Sequence, residues 1–198
     1  MQFEGIYIPV ITPFHDDGSV DENGFAEVIE FLIDAGVHGI VVAGTTGEYY
    51  AQTMAERTGL MQTAHQVING RVPLMIGVGA IRTEDAIELA QTAKQVGADA
   101  LLVNSPPYVL PTESENAAHA LAIDKAADLP IMLYNYPGRT GSNMGEDYLR
   151  RVSASKNFCA IKESSGDINR LHLLANDYPN IQLSCGADDQ ALEFFVWG

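Results

Sequence analysis

One pattern of polarity recurs along the chain: a short unbroken apolar run, a polar turn, an amphipathic stretch, then a glycine or proline break. The apolar runs are Ile6–Ile11, Ile40–Ala43, Leu74–Val78, Leu101–Val103, Ile131–Tyr134, Phe158–Lys162 and Ile181–Cys185. They do not alternate with polar residues, which predicts strands covered on both faces. Their starts lie roughly 23 to 34 residues apart, room for one helix in each gap and therefore for a chain of βαβ units. Helix signals fill the gaps. Thr53 with Glu56 and Thr112 with Glu115 have capping-box spacing, and Asp21 and Asp167 suit N-caps. Gly36 and Gly97 follow amphipathic runs and suit left-handed C-caps. From Glu27 to Asp34 the apolar positions form one broad helical stripe.

Seven strands alternating with helices make either an open doubly wound sheet or a closed barrel. The first usually carries a nucleotide fingerprint, and the sequence has neither G-x-G-x-x-G after its first strand nor a G-x-x-x-x-G-K-[ST] loop. Polar residues instead collect at the C-terminal ends of several strands: Thr45–Thr46, Asn104–Ser105, Tyr134–Asn135 and Lys162–Glu163. A barrel gathers such positions into one site. The expected fold is α/β, a (β/α)8 barrel, as one domain over residues 1–198. The last residues, to Trp197–Gly198, lie inside an apolar helical segment. The barrel is therefore expected to be truncated after strand 7 and part of helix 7, and to be poorly soluble in that form.

Composition narrows the function. The net charge of −15 disfavours nucleic acid and anionic membranes. No apolar run approaches the ~20 residues of a membrane span, and MQFEGIYIPVITPF lacks a secretory pattern, so a cytoplasmic protein is expected. Cys159 and Cys185 are too few for a disulfide framework and read as reduced and structural. His15, His38, His65, His119 and His172 show no ligand spacing, so no metal is expected. His15–Gly18 reads as a turn, and Asp188 and Asp189 as caps of the last helix.

Lysine is scarce. Lys94 and Lys125 lie in amphipathic helices, Lys156 in a polar turn, and only Lys162 ends an apolar strand. Burial disfavours the charged form of an amine, and a neutral amine attacks carbonyls. The structural alternative is an ion pair with a carboxylate such as Glu163, and position alone leaves both open. Gly44–Thr45–Thr46–Gly47 follows the second strand; its hydroxyls and amides suit a carboxylate, or simply a helix entry. Tyr134 ends the fifth strand and offers a movable proton, or packs at the rim. Arg139, on the loop after it, offers a carboxylate fork, or faces solvent.

Together these segments resemble the dihydrodipicolinate synthase/N-acetylneuraminate lyase family, from Ile11–Thr12–Pro13–Phe14 through GTTGE, YNYPGRTG and IKESSGD to Cys185–Asp189. The resemblance implies a Schiff-base lyase or aldolase that joins pyruvate to an aldehyde, closest to the synthases that use aspartate semialdehyde. It implies Lys162 as the Schiff-base residue, Tyr134 as general acid/base, and Thr46, within Gly44–Gly47, as a holder of the keto-acid carboxylate. Thr45 would relay protons between Tyr134 and a tyrosine from a neighbouring subunit, matched here by Tyr108, and Arg139 would bind the second substrate. It further implies no cofactor beyond the covalent Schiff base, and a homo-oligomer, dimer or tetramer. The chain departs from the synthase pattern at Tyr49–Tyr50, at Pro107–Tyr108–Val109–Leu110 and at Ile81. A catabolic aldolase, dehydratase or deaminase of 2-keto-3-deoxy or hydroxyproline-derived acids is the alternative, and a non-catalytic keto-acid-binding protein the alternative of another class.

Overall fold

The computed structural model describes residues 1–197. Strands β1 (Tyr7–Pro9), β2 (Gly39–Val42), β3 (Leu74–Gly77), β4 (Ala100–Asn104), β5 (Ile131–Asn135), β6 (Phe158–Glu163) and β7 (Gln182–Cys185) form one sheet in sequence order. Every neighbouring pair is parallel. Helices α1 (Glu22–Asp34), α2 (Met54–Ile68), α3 (Thr83–Val96) and α4 (Glu113–Ala127) connect the first five strands. A short α5 (Pro137–Thr140) and α6 (Glu146–Val152) follow β5, α7 (Ile168–Asp177) follows β6, and α8 (Ala191–Trp197) follows β7. This is the winding of a (β/α)8 barrel, with seven of its strands in the described residues.

Strands β2 to β6 each feed two cores. Ile40, Val42, Leu74, Ile76, Leu101, Val103, Ile131, Leu133 and Ile161 pack outward with Phe25, Ile29, Leu60, Leu89 and Ile123 of the helices. Their neighbours Val41, Met75, Ala100, Leu102, Met132, Tyr134 and Ala160 pack together on the inner face with Phe3 and Tyr7. Two apolar faces per strand explain the unbroken runs of the sequence. The sheet curls far enough for the Phe3 amide to donate to the Gln182 side chain at 2.9 Å, although the two residues are 179 positions apart.

The predicted boundaries hold with local exceptions. Both capping boxes form, and Asp21 and Asp167 accept from the first turns of α1 and α7. Gly36 and Gly97 take the left-handed conformation at helix ends. His15–Gly18 is a turn, closed by Gly18 N to His15 O at 2.9 Å. The first strand is shorter than its apolar run, with Ile6 and Ile11 exposed, and Phe31 lies outside the buried stripe of α1. Asp188 and Asp189 do not cap α8: they sit inside a 3₁₀ turn whose cap position is Ala187. No helix is long and apolar enough to cross a membrane among the described residues.

Candidate active site

The C-terminal ends of β4, β5, β6 and β7 bring one inward row together: Asn104 pairs in register with Tyr134, Tyr134 with Lys162, and Lys162 with Ser184. The ammonium nitrogen of Lys162 lies 4.8 Å from the centre of the Tyr134 ring. Burial lowers the Lys162 pKa; nearby Asp188 and Cys185 act in the opposite direction. Lys94, Lys125 and Lys156 are all exposed. Lys162 makes no ion pair with Glu163, which pairs with Arg170 at 3.3 Å. Burial raises the Tyr134 pKa, and the hydroxyls of Thr45 and Ser164 partly oppose the shift. The phenol therefore keeps its proton at neutral pH.

The loop after β2 reaches this row because two glycines let backbone approach backbone. A Cβ on Gly77 would overlap the Ala43 carbonyl, and one on Gly47 would sit 2.9 Å from Val10 O. Thr12 Oγ1 donates to Gly47 O at 2.8 Å and Gln52 Nε2 to the same oxygen at 2.6 Å, which pins the turn. Beneath the row, buried Glu163 accepts from Asn135, from the Ser165 amide and from Arg170. Glu48, at the end of the same loop, is exposed, at a positive φ of 57°, and shows no side-chain hydrogen bond among the described residues.

A cavity of about 210 Å³ opens at this end, lined by Thr45, Tyr49, Tyr50, Asn104, Pro107, Tyr134, Tyr136, Arg139 and Thr140. It unites three of the expected residues, Thr45, Tyr134 and Arg139. Lys162 touches it through Tyr134 and is not itself in the lining. Gly44, Thr46 and Gly47 belong to the loop behind Thr45 and do not line it. Arg139 is exposed, with its guanidinium 5.7 Å from the Tyr136 ring; that phenol raises its pKa further, so it stays charged. Tyr108 does not reach the cavity of its own chain: it is 87% exposed on the loop after β4, at a φ of +75°. Sequence reasoning missed Tyr49, Tyr50, Tyr136 and Thr140 as wall residues, and noted Asn104 only as a polar strand end. Among the described residues no group of three or more His, Cys, Asp or Glu side chains is placed to hold a metal ion.

The model of the dihydrodipicolinate synthetase family matches residues 2–198. The chain belongs to that family. It is 37% identical over 202 residues to the 4-hydroxy-tetrahydrodipicolinate synthase of Protochlamydia amoebophila, covering 100% of this chain and 67% of the relative. Among solved structures, the chloride-inhibited synthase from Acinetobacter baumannii, complexed with pyruvate, superposes with a TM-score of 0.94 at 36% identity over 100% of this chain and 68% of that one. A prophage protein of the family from E. coli K12, also complexed with pyruvate, gives a TM-score of 0.94 at 32% identity, again over 100% and 68%. The chain spans about two thirds of the length of the curated relatives it matches.

Proposed function

We propose that this family member is a Schiff-base lyase that condenses pyruvate with an aldehyde, in the manner of 4-hydroxy-tetrahydrodipicolinate synthase. The carrying observation is the pair at the end of β5 and β6: one half-buried amine with a lowered pKa, 4.8 Å from the ring of a protonated phenol. The neutral amine of Lys162 attacks the C2 carbonyl of pyruvate, and the resulting carbinolamine takes up one proton as water leaves, giving an iminium. That cation draws electrons from C3, which loses a proton to become an enamine. The enamine carbon then attacks the aldehyde carbonyl, whose oxygen takes up a proton. Hydrolysis of the new iminium returns the lysine.

Tyr134 is the group in position to give and take these protons. Thr45, beside it on the cavity wall, supports a relay role. The loop Gly44–Thr46–Gly47 would hold the keto-acid carboxylate, and Arg139, free on the rim, a carboxylate of the aldehyde partner. The exposed run Tyr108–Val109–Leu110, with positive φ at Tyr108 and Leu110, supports a role for Tyr108 in a neighbouring copy within a homodimer or tetramer. The presence of Tyr49 and Tyr50 in the wall favours a second reading of the aldehyde partner. Two tyrosines where the synthase pattern has small residues suit a hydroxylated aldehyde from a 2-keto-3-deoxy acid.

Reduction with borohydride traps the imine as a secondary amine. Pyruvate plus borohydride should add one group per chain, mapped to Lys162, and Lys162→Ala should remove both label and turnover. A label on Lys94, Lys125 or Lys156, or full activity in Lys162→Ala, would refute the mechanism. A panel of aspartate semialdehyde, glyceraldehyde and 2-keto-3-deoxy acids separates the two readings.

A further inference from the structure

The chemistry above makes no use of a buried charge that has no carboxylate. Arg57, on α2, is 4% exposed and forms no ion pair among the described residues. Its terminal nitrogens donate to two main-chain carbonyls, Nη1 to Gly79 O at 2.8 Å and Nη2 to Gly77 O at 2.7 Å. Its Nε is buried and unpartnered. Desolvation lowers its pKa to about 10, so it is still a cation at neutral pH. A well-packed apolar side chain would usually fill such a position at less cost. What the guanidinium holds in place is therefore informative.

It holds one part of the cavity wall and a strand end behind it, which does not itself line the cavity. The strand end is that of β3, held through the carbonyls of Gly77 and Gly79. The wall part is Tyr49, over whose ring the guanidinium lies at 5.2 Å. The Tyr49 phenol oxygen accepts from Asn104 Nδ2 at 3.4 Å, which leaves its own proton free to be donated. Asn104 Nδ2 also donates to Ser105 O at 2.8 Å, and a carbonyl partner fixes which way the amide faces. Asn104 Oδ1 then lies against Gly79, where a Cβ would collide with it. Tyr49 and Asn104 both line the cavity, Asn104 beside Tyr134 in the strand register, whereas Arg57 does not line it.

We propose that Arg57 is a positioning residue for the aldehyde partner. It clamps the end of β3 and stacks on Tyr49, so that Tyr49 offers a hydroxyl donor and Asn104 an amide acceptor at fixed places. The assignment rests on the Schiff-base reading and adds the wall that orients the second substrate.

The test is a double-mutant cycle in the protein as its gene encodes it: parent, Arg57→Lys, Tyr49→Phe and the double variant. Each is assayed for pyruvate–borohydride labelling, for KM and kcat with aspartate semialdehyde (glyceraldehyde if the parent prefers it), and for thermal unfolding. Arg57→Lys keeps the charge and loses the two-carbonyl fork. Tyr49→Phe keeps the stacked ring and loses only the hydroxyl. Labelling rates should stay close to the parent's while the aldehyde KM rises about tenfold in each single variant. The double variant should be no worse than Arg57→Lys alone, because the hydroxyl is already misplaced there. Should Arg57→Lys fail to fold, Tyr49→Phe still carries the KM test. An unchanged KM in Tyr49→Phe overturns the proposal. So do single effects that multiply in the double variant, or a labelling loss that matches the KM change. A parent that pyruvate and borohydride do not label overturns the Schiff-base reading first, and this assignment with it.

Discussion

Replacing Glu163 with glutamine tests whether the carboxylate next to Lys162 supports the site or takes part in its chemistry. In the structure Oε1 accepts from Ser165 N at 2.8 Å and Asn135 Nδ2 at 3.1 Å, while Oε2 accepts from Asn135 Nδ2 at 2.9 Å and Arg170 Nε at 3.3 Å. Glutamine has the same shape, but whichever way its amide turns, the NH₂ meets at least one N–H donor. The Arg170 guanidinium, 8% exposed, also loses its only carboxylate partner among the described residues, keeping the Met144 carbonyl at 2.8 Å. Breaking a buried pair from one side costs about 3–5 kcal/mol. The long 3.3 Å contact argues for the lower end, so a loss of about 3 kcal/mol is expected. At roughly 2–4 °C per kcal/mol for a chain of this size, the melting temperature should fall by about 6–12 °C. Thermal and urea unfolding measure the loss; pyruvate–borohydride labelling, done well below the transition, measures the site. Labelling at Lys162 should persist, because Glu163 contacts Asn135, Ser165 and Arg170 and no group of the cavity wall. A stability change below about 1 kcal/mol would show that the network does not hold β5 to β6. Loss of labelling in a folded variant would show that Glu163 acts on Lys162 directly.

Tyr134→Phe should slow turnover by roughly 10²–10⁴, the range for a lost general acid/base, while Lys162 still takes the label; steady-state kinetics with peptide mapping checks both. Arg139→Ala should raise the aldehyde KM about tenfold and leave pyruvate labelling intact, since the exposed guanidinium stacks on Tyr136 and not on Lys162; equal loss of both would mark a structural role. His119 is buried, its Nδ1 3.0 Å from Thr83 Oγ1, and desolvation lowers its pKa from 6.5 to about 4. Because the folded pKa is the lower one, stability is complete above pH 6.5. It falls as the unfolded chain alone takes the proton between pH 6.5 and about 4, by on the order of 3 kcal/mol. His119→Gln should flatten that part of the acid limb in urea titrations at pH 7, 5.5 and 4.5, and an unchanged limb would refute the assignment.

The alternation of strands and helices, most of the helix caps and the strand-end position of Lys162 were legible in the sequence because each depends on residues near one another in the chain. Unbroken runs such as Leu74–Gly77 report two covered faces, Thr53 and Glu56 report a cap three residues away, and Lys162 is the one lysine that ends such a run. Glu163 shows where local reading stops: Lys162 and Glu163 are adjacent in sequence, yet successive strand side chains point to opposite faces, so the carboxylate meets Arg170 and the amine meets Tyr134. Tyr49 and Asn104 likewise sit 55 residues apart and share a hydrogen bond only because β2, β3 and β4 lie side by side with Gly77 and Gly79 between them. Arg57 reads in the sequence as one more charged residue of a surface helix. Its burial and its two carbonyl partners come from the packing of α2 on the end of β3, a contact between segments about 20 residues apart that no local pattern encodes. The sequence by itself determined which residues carry reactive groups and which end of each strand they occupy. The curl of the sheet decided which of those groups face one another, because facing is a property of register and closure, and both are set by contacts made only once the chain has folded.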